Sequence, residues 1–221
     1  MIPLYDTVRS RRFPFINILL VIVNVVVFLY EIQLRGPALR AFVYTWGFIP
    51  TQFWNHPSSI WVNIFSAMFL HGGWLHIISN MWVLLLFGDN IEARMGSFRY
   101  LIFYLLSGAA AALLQAYILI NSDQPMIGAS GAIAGVLGAY LILFPHSRIA
   151  SLVPLFFIFT IVEIPAFLFL LFWFGMQIYS GLFSAQSTGV AWWAHVGGFI
   201  FGVVMVSFFA VRRRTYYSDW Q

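Results

Sequence analysis

Four polar side chains in otherwise apolar stretches are of the types that carry out acyl transfer. Ser130 lies in the stretch GASGAIAGVLGAY and His195 lies in AHVGGFIFG. His76 and Asn80 lie in HGGWLHIISN at a spacing of i, i+4, so a helix presents them on one face. A serine hydroxyl becomes an effective nucleophile when a base takes its proton, and a neutral imidazole can do so. Ser130 and His195 are therefore a candidate nucleophile and general base.

The same set contains donors for the oxyanion that acyl transfer forms. The backbone N–H of Ser130 at a helix start, the amide of Asn80 and the ring of His76 could all donate to it. The helix dipole also favours negative charge at that helix end. Asp123 is the only acid in the nearby loop, and Glu163 falls on the opposite side. The sequence therefore predicts a Ser-His dyad, without a carboxylate as third member.

The composition of the chain indicates a membrane protein. Of its 221 residues, 62% are hydrophobic and 8% are charged, whereas a soluble domain has about 25% charged residues. The absence of cysteine excludes disulfides, thiolate metal sites and a thiol nucleophile. We expect no metal, no cofactor and no nucleic-acid partner.

Six apolar stretches are long enough to be candidate membrane-spanning helices. They cover roughly 14–31, 74–88, 98–120, 130–145, 164–182 and 194–211. A seventh helix near 151–163 is the main alternative, which is disfavoured because Glu163 and Pro165 would fall in a cramped turn. We therefore predict a single all-α membrane domain over residues 1–221 with six transmembrane helices.

The distribution of arginine predicts how these helices are oriented. With six spans, one side carries Arg9, Arg11, Arg12, Arg94, Arg99, Arg148 and Arg212 to Arg214. The other side carries only Arg35 and Arg40. Because cytoplasmic loops are enriched in basic residues, both termini are predicted to be cytoplasmic. The segment 32–73 then lies outside, and its many Trp and Phe rings suit a loop that lies on or partly within the membrane.

This topology brings the four polar groups to one level of the membrane. The second, fourth and sixth helices run in the same direction, so Ser130, His195, His76 and Asn80 all fall near their outer ends. Counting residues to the inner end of each helix, at about 1.5 Å per residue, gives one shared layer. Polar groups at membrane depth are costly, so they are functional candidates.

Small residues on two of these helices would let the backbones approach closely, which brings a serine hydroxyl within reach of an imidazole. They are Ala134 and Gly138 below Ser130, and Gly198 and Gly202 below His195. Each feature taken singly also has a structural interpretation. A Gly-rich helix can serve packing, a membrane histidine can be a hydrogen-bonded structural group, and an asparagine can join two helices. The four groups in one layer favour catalysis.

Three stretches resemble, in order and spacing, the signatures of the rhomboid family. They are FLHGGWLHIISNMWVLLLFGDNIEARMG (69–96), GASGAIAGVLGAYLILFP (128–145), and VEIPAFLFLLFWFGMQIYSG (162–181) followed by AHVGGFIFG (194–202). The resemblance runs from about Trp46 onward. It implies a six-helix rhomboid bundle with 32–73 as a membrane-embedded first loop. It also implies an intramembrane serine endopeptidase that cuts transmembrane segments of other proteins.

By this resemblance, Ser130 is the nucleophile, His195 the general base, and His76 and Asn80 the oxyanion donors. Residues 182–193 correspond to a cap over the site. The fifth helix, including Phe172, Trp173 and Phe174, would face the lateral route of substrate entry. Some members have a tyrosine one turn after the serine, where this chain has Ala134. What holds the His195 ring in place is therefore open.

The resemblance also covers residues outside the four. His71 matches a common family position, where we expect a loop-stabilising hydrogen bond. Glu92, Arg94 and Gly96 are expected to be structural. The predicted location is a prokaryotic plasma membrane with the site opening to the outer side, and the predicted partners are the lipid bilayer and transmembrane protein substrates.

Two other functions compete with proteolysis. The first is an inactive rhomboid relative that binds membrane clients; such proteins typically lack the serine or the histidine, and this chain has both. The second is a small transporter with a polar layer. A transporter would need carboxylates at the midplane, and no predicted helix offers an acid there.

Overall fold

The chain folds mainly into helices in a computed structural model that describes residues 1–8, 10, 12–155, 158–184 and 189–211. The helices are α1 (Phe15–Glu31), α2 (Pro37–Trp46), α3 (Pro50–Asn55), α4 (Pro57–Ile60), α5 (Asn63–Ser66), α6 (Trp74–Met95), α7 (Ser97–Ile118), α8 (Ser130–Leu143), α9 (Ala166–Phe183) and α10 (Trp192–Phe209). A 3-10 turn, Ala67–Phe69, follows α5. The six long helices start and end within a few residues of the predicted stretches, except α6, which continues to Met95.

Three of these helices, α7, α9 and α10, are long and apolar enough to cross a membrane. The segment Asn63–Phe69 and α6 pass the same test as a pair, with a bend of 97° between them. The remaining two, α1 and α8, are apolar but shorter. By length and composition, the described residues therefore contain three spans, or four with the bent pair. The count of six stays a prediction.

A small antiparallel sheet is the main departure from the all-α prediction. Strand β2 (Arg148–Leu155) pairs with β3 (Ile158–Pro165), and β1 (Ile2–Asp6) pairs with the other edge of β2. The alternative of a seventh helix near 151–163 is therefore wrong. The sequence of 151–163 is rich in Ile, Val, Thr and Phe, which favour strands, and the proline at 154 would interrupt a helix.

The closest backbone packing lies between α8 and α10. A Cβ atom on Gly198 would lie 2.0 Å from the carbonyl oxygen of Gly131, and one on Gly202 would lie 2.0 Å from that of Gly135. The two helices therefore touch through their backbones, as the small residues of α10 predict. On α8, Ala134 lies at this contact as predicted, with its Cβ atom 3.4 Å from the Cβ position on Gly198, and the two glycines come closer still.

The small residues of this interface continue to the far end of α8. A Cβ atom on Gly138 would lie 2.2 Å from the carbonyl oxygen of Phe199. Gly138 was predicted to pack in this way and does so. The serine that opens α8 and the histidine in the first turn of α10 are thus carried by two backbones in direct contact.

A buried carboxylate holds three helices together at the end of the molecule away from the four candidate residues. Glu92 of α6 accepts hydrogen bonds from the backbone N–H groups of Ile16 (3.1 Å) and Asn17 (2.8 Å) in the first turn of α1. The hydroxyl of Ser97 in α7 also donates to it. Gly96 makes the turn between α6 and α7 with a φ of +80°, a conformation that favours glycine. Glu92 and Gly96 thus have the structural roles expected of them.

The segment 32–73 is fastened to the rest of the chain by polar contacts. The indole N–H of Trp54 donates to the carbonyl of Ala116 at 3.0 Å. Phe48 and Met126 exchange two backbone hydrogen bonds of 3.0 and 2.8 Å. Several of its Trp rings, including that of Trp61, stay exposed. The embedding of this segment in the membrane stays a prediction.

Candidate active site

Ser130 and His195 form a direct hydrogen bond. Ser130 is the first residue of α8, and His195 lies in the first turn of α10. The hydroxyl Oγ of Ser130 lies 2.8 Å from Nε2 of His195, within the distance that proton transfer between nucleophile and base requires. The two residues that the sequence paired as nucleophile and base therefore meet, through the backbone contact of α8 with α10.

The other ring nitrogen of His195 has a partner that the sequence analysis missed. Nδ1 of His195 lies 2.9 Å from Oε1 of Gln177 in α9. Two indole rings flank the imidazole, that of Trp173 with a centroid distance of 6.0 Å and that of Trp192 at 6.1 Å. These three side chains contact the imidazole, whose support the sequence left open because Ala134 follows the serine by one turn. The signal was available, because a glutamine inside an apolar helix is costly without a partner.

His76 is oriented by the loop before its helix. The backbone N–H of Gly72 donates to Nδ1 of His76 at 3.3 Å. Because Nδ1 is then an acceptor, the neutral ring carries its proton on Nε2. This atom faces Gly128, where an added Cβ would lie 2.7 Å from it. His76 thus directs an N–H donor at the backbone two residues before Ser130.

Asn80 offers a second donor at the same place. Its Nδ2 atom is buried and has no hydrogen-bond partner among the described residues, and it lies 3.7 Å from the position of a Cβ on Gly128. The residue is only 7% exposed. An unpaired buried amide N–H is costly, so in a native structure it calls for an explanation. An anion bound beside Gly128 would supply the missing acceptor.

A single cavity of about 620 Å³ joins the four candidate residues. Its wall includes His76, Asn80, Ser130 and His195. Small and flexible apolar side chains line much of the rest, among them Met68, Ala111, Ala132 and Ala194. In the part of the chain that the structure describes, no group of three His, Cys, Asp or Glu side chains is placed to hold a metal ion.

The predicted cap is only partly described. Residues 189–191 line the cavity, whereas 185–188 lie outside the described residues. Arg9, Arg11 and Arg212 to Arg214, used above to predict orientation, lie outside them as well.

Three aromatic residues of α9 were predicted to face substrate entry, and they divide between surface and interior. Phe172 is exposed. Phe174 stacks on Phe199 of α10 with centroids 4.5 Å apart, and Trp173 lies 6.0 Å from the same ring. Trp173 and Phe174 thus pack against α10, and a route of substrate entry along α9 stays a prediction.

His71 stabilises a loop through its backbone rather than its ring. Its backbone N–H donates to the carboxylate of Glu31 at the end of α1, with a nearest distance of 3.0 Å. The ring lies edge-on to the ring of His76, with centroids 5.0 Å apart. Both ring nitrogens lack a hydrogen-bond partner among the described residues, so the backbone N–H and not the imidazole ties the residues before α6 to α1.

Comparison with known proteins places these features in a family. A family model described as a Rhomboid domain matches residues 57–212. RHOMBOID-like protein 1 of Arabidopsis thaliana is 29% identical over 159 residues, which are 71% of this chain and 36% of that protein. RHOMBOID-like protein 6, mitochondrial, also of Arabidopsis thaliana, is 38% identical over 78 residues, 35% of this chain and 25% of that protein.

A bacterial relative is also similar. The Bacillus subtilis (strain 168) protein named "Putative rhomboid protease YdcA" is 32% identical over 83 residues, 38% of this chain and 41% of its own length. The chain thus spans well under half the length of each of these three relatives. The family model nevertheless covers well over half of the chain, including all four candidate residues. The chain belongs to the rhomboid family.

Proposed function

We propose that this chain is an intramembrane serine endopeptidase that cleaves transmembrane segments of other membrane proteins. The observation that carries the proposal is the 2.8 Å hydrogen bond between Ser130 Oγ and His195 Nε2 on the wall of a cavity that also holds two potential oxyanion donors. Family membership supports the same chemistry.

The proposed reaction uses His195 twice. Ser130 Oγ attacks the carbonyl carbon of the scissile peptide bond while Nε2 of His195 takes the hydroxyl proton. The imidazolium then gives that proton to the leaving amine as the C–N bond breaks, which leaves an acyl-enzyme on Ser130. A water molecule attacks the ester, with His195 again as base, and releases the second product and the serine hydroxyl.

The oxyanion of each tetrahedral intermediate would form beside Gly128. Nε2–H of His76 and the Nδ2 amide of Asn80 both lie against this glycine. The backbone N–H of Ser130 adds a third donor, because the first N–H groups of a helix lack intrahelical acceptors. Donors that are already held in position stabilise developing charge without reorganisation.

The proposal includes the membrane arrangement inferred from the sequence. All six long helices span the bilayer as one domain, α1 and α8 as short spans, with the segment 32–73 embedded as the first loop. Both termini are cytoplasmic, and the cavity opens to the outer side of a prokaryotic plasma membrane. The cavity's alanine and glycine lining suits substrates with small residues at the cut.

The direct test is cleavage of a single-span membrane substrate by the purified protein in proteoliposomes. We expect the wild type to cleave and both Ser130→Ala and His195→Ala to be inactive while folded. Ser58→Ala and His146→Ala, at exposed positions outside the cavity, serve as matched controls and are expected to cleave normally.

A second measurement separates an inactive enzyme from an unsuitable substrate. A fluorophosphonate probe that reacts with activated serines is expected to label the wild type at Ser130 and to leave His195→Ala unlabelled. Cleavage that survives Ser130→Ala would overturn the mechanism. A wild type that neither cleaves nor reacts with the probe would favour a role in binding membrane clients.

A further inference from the structure

We propose that Gln177 is a positioning residue that fixes the tautomer of His195, so that the ring presents an unprotonated Nε2 to Ser130. The inference rests on the proposed function, because it concerns how the dyad's base is kept ready. It assigns to a neutral amide on α9 the orienting task that a carboxylate performs in a catalytic triad.

The orientation of the Gln177 amide follows from its second hydrogen bond. Its Nε2 donates to the backbone carbonyl of Trp173, one turn earlier in α9, at 3.1 Å. A carbonyl oxygen only accepts, so the NH₂ end of the amide must point to Trp173. The oxygen Oε1 is therefore the atom that lies 2.9 Å from Nδ1 of His195. At 6% exposure, the side chain has little access to water that could replace either contact.

The protonation of the ring follows from the amide orientation. Oε1 of Gln177 can only accept a hydrogen bond, so Nδ1 of His195 must carry the proton. A neutral imidazole has one N–H, which leaves Nε2 with a free lone pair 2.8 Å from Ser130 Oγ. In the opposite tautomer, Nε2 would donate to the serine oxygen and could not take its proton. The three hydrogen bonds thus all run in one direction. Ser130 donates to His195, His195 donates to Gln177, and Gln177 donates to the carbonyl of Trp173.

The aromatic rings beside His195 cannot perform this task. Trp173 and Trp192 limit the tilt of the imidazole through ring contacts at 6.0 and 6.1 Å. Neither contact distinguishes a protonated Nδ1 from an unprotonated one. Gln177 is thus the only side chain among the described residues that is hydrogen-bonded to Nδ1 of His195, and its loss leaves the ring packed but without a preferred tautomer.

The test compares two substitutions of similar size with opposite hydrogen-bonding capacity. Gln177→Met keeps the length of the side chain and removes the acceptor, so we expect kcat to fall about 10- to 100-fold, as for loss of a buried hydrogen-bond partner, with KM unchanged. Gln177→Glu keeps an acceptor oxygen toward Nδ1 and is expected to retain most of the wild-type kcat. Both are measured by substrate cleavage in proteoliposomes.

A spectroscopic measurement reports the tautomer without any substrate. In micelles, ¹⁵N NMR of protein labelled at histidine distinguishes a protonated Nδ1 from a protonated Nε2, and the His195 signals are assigned by their loss in His195→Ala. We expect a protonated Nδ1 in the wild type and in Gln177→Glu. In Gln177→Met, a substantial population with the proton on Nε2 should appear.

Gln115→Met is the matched control for the loss of a buried amide beside α10. Oε1 of Gln115 accepts the backbone N–H of Ala194, the residue before His195, at 3.1 Å. We expect this variant to lose stability without a change in the His195 tautomer. A shift of the tautomer equal to that of Gln177→Met would overturn the proposal.

The proposal and the proposed function fail in different ways. Wild-type tautomer and kcat in Gln177→Met would overturn the role of Gln177 and leave the dyad intact. If Gln177→Met does not fold, Gln177→Glu remains decisive, since a proton on Nε2 of its His195 would overturn the role. Cleavage that survives Ser130→Ala would instead remove the dyad, and the NMR spectra would still report on Gln177.

Discussion

Gly128 lies so close to His76 that a single methyl group would collide with the ring. A Cβ atom at this position would lie 2.7 Å from Nε2 of His76, and the residue has a φ of +121°, which L side chains rarely adopt. In the proposed mechanism, the space left by the absent side chain is where the oxyanion meets its two side-chain donors, His76 and Asn80. Gly128 thus keeps open the position beside Ser130.

Substitution of this glycine should therefore reduce catalysis more than stability. In Gly128→Ala the methyl group displaces His76 from the oxyanion position, and we expect kcat to fall about 10²-fold, the effect of losing one such donor. Rates of substrate cleavage and of fluorophosphonate labelling provide the measurement. Gly36→Ala is the control, because Gly36 also has a positive φ but faces open space. Equal losses in the two variants would indicate backbone strain alone.

The four candidates for dyad and oxyanion donors could be predicted because each is a polar group in an apolar helix. A polar group is costly there, which marks it as a functional candidate. Helix direction then placed them at one end of the bundle. Gln177 carried the same signal in FWFGMQIYSG, but its partner lies across a contact between α9 and α10. No periodicity within α9 indicates that contact.

The sheet was predictable only in part. The β-branched residues of 151–163 and the proline at 154 favour strands over a helix, but no local signal indicates the third strand. A short apolar run reads equally well as a buried strand or as a helical segment, and periodicity alone does not separate them. What decides here is the pairing of β2 with both β3 and the N-terminal strand, in which Ile2 lies opposite Leu152. The contact between β1 and β2 joins positions about 150 residues apart, and neither local sequence indicates it.

Asn80 should show a trade-off between stability and activity. Its amide N–H is buried without a partner among the described residues, so Asn80→Leu, of similar size, removes an unsatisfied group. We expect the melting temperature to stay equal or rise, while kcat falls about 10²- to 10³-fold through loss of an oxyanion donor.

Thermal unfolding and substrate cleavage, measured on one preparation, test this expectation. The control is Asn17→Leu, because Asn17 is buried in α1 and both ends of its amide are paired. Its N–H donates to the carbonyl of Leu84 at 3.1 Å, and its oxygen accepts from the hydroxyl of Tyr100 at 2.7 Å. That variant should lose stability and keep its kcat. A marked drop in stability for Asn80→Leu would show that the Asn80 side chain stabilises the fold, and would contradict its role as an unpaired oxyanion donor.

The α8–α10 contact predicts that Gly202 cannot carry a side chain. In Gly202→Ala the methyl group would lie 2.0 Å from the carbonyl oxygen of Gly135, so the helices must separate. We expect the free energy of unfolding to fall by about 1–3 kcal/mol, as for overpacking of a core, measured by titration with a denaturing detergent. Gly175→Ala on α9 meets no atom within 4 Å and should be neutral or slightly stabilising. Similar losses for both would contradict the close packing.

Asp6 should make the stability of the fold depend on pH. Burial raises the pKa of Asp6 above its usual range, although Tyr140 and Asn90 donate hydrogen bonds that oppose the shift. Because the pKa is higher in the folded chain than in the unfolded one, the contribution of Asp6 to the free energy of unfolding is largest in acid. It decreases as the pH rises through the folded pKa.

The Asp6→Asn variant isolates this contribution. It keeps an oxygen acceptor for Tyr140 without a charge, so the stability of the variant relative to wild type should increase as the pH rises from about 4 to 7. Tyr140→Phe removes a bond that favours the carboxylate, so it should steepen the wild-type decline over the same range. Detergent unfolding at a series of pH values measures both differences. A stability difference between Asp6→Asn and wild type that is constant with pH would contradict the raised pKa of Asp6.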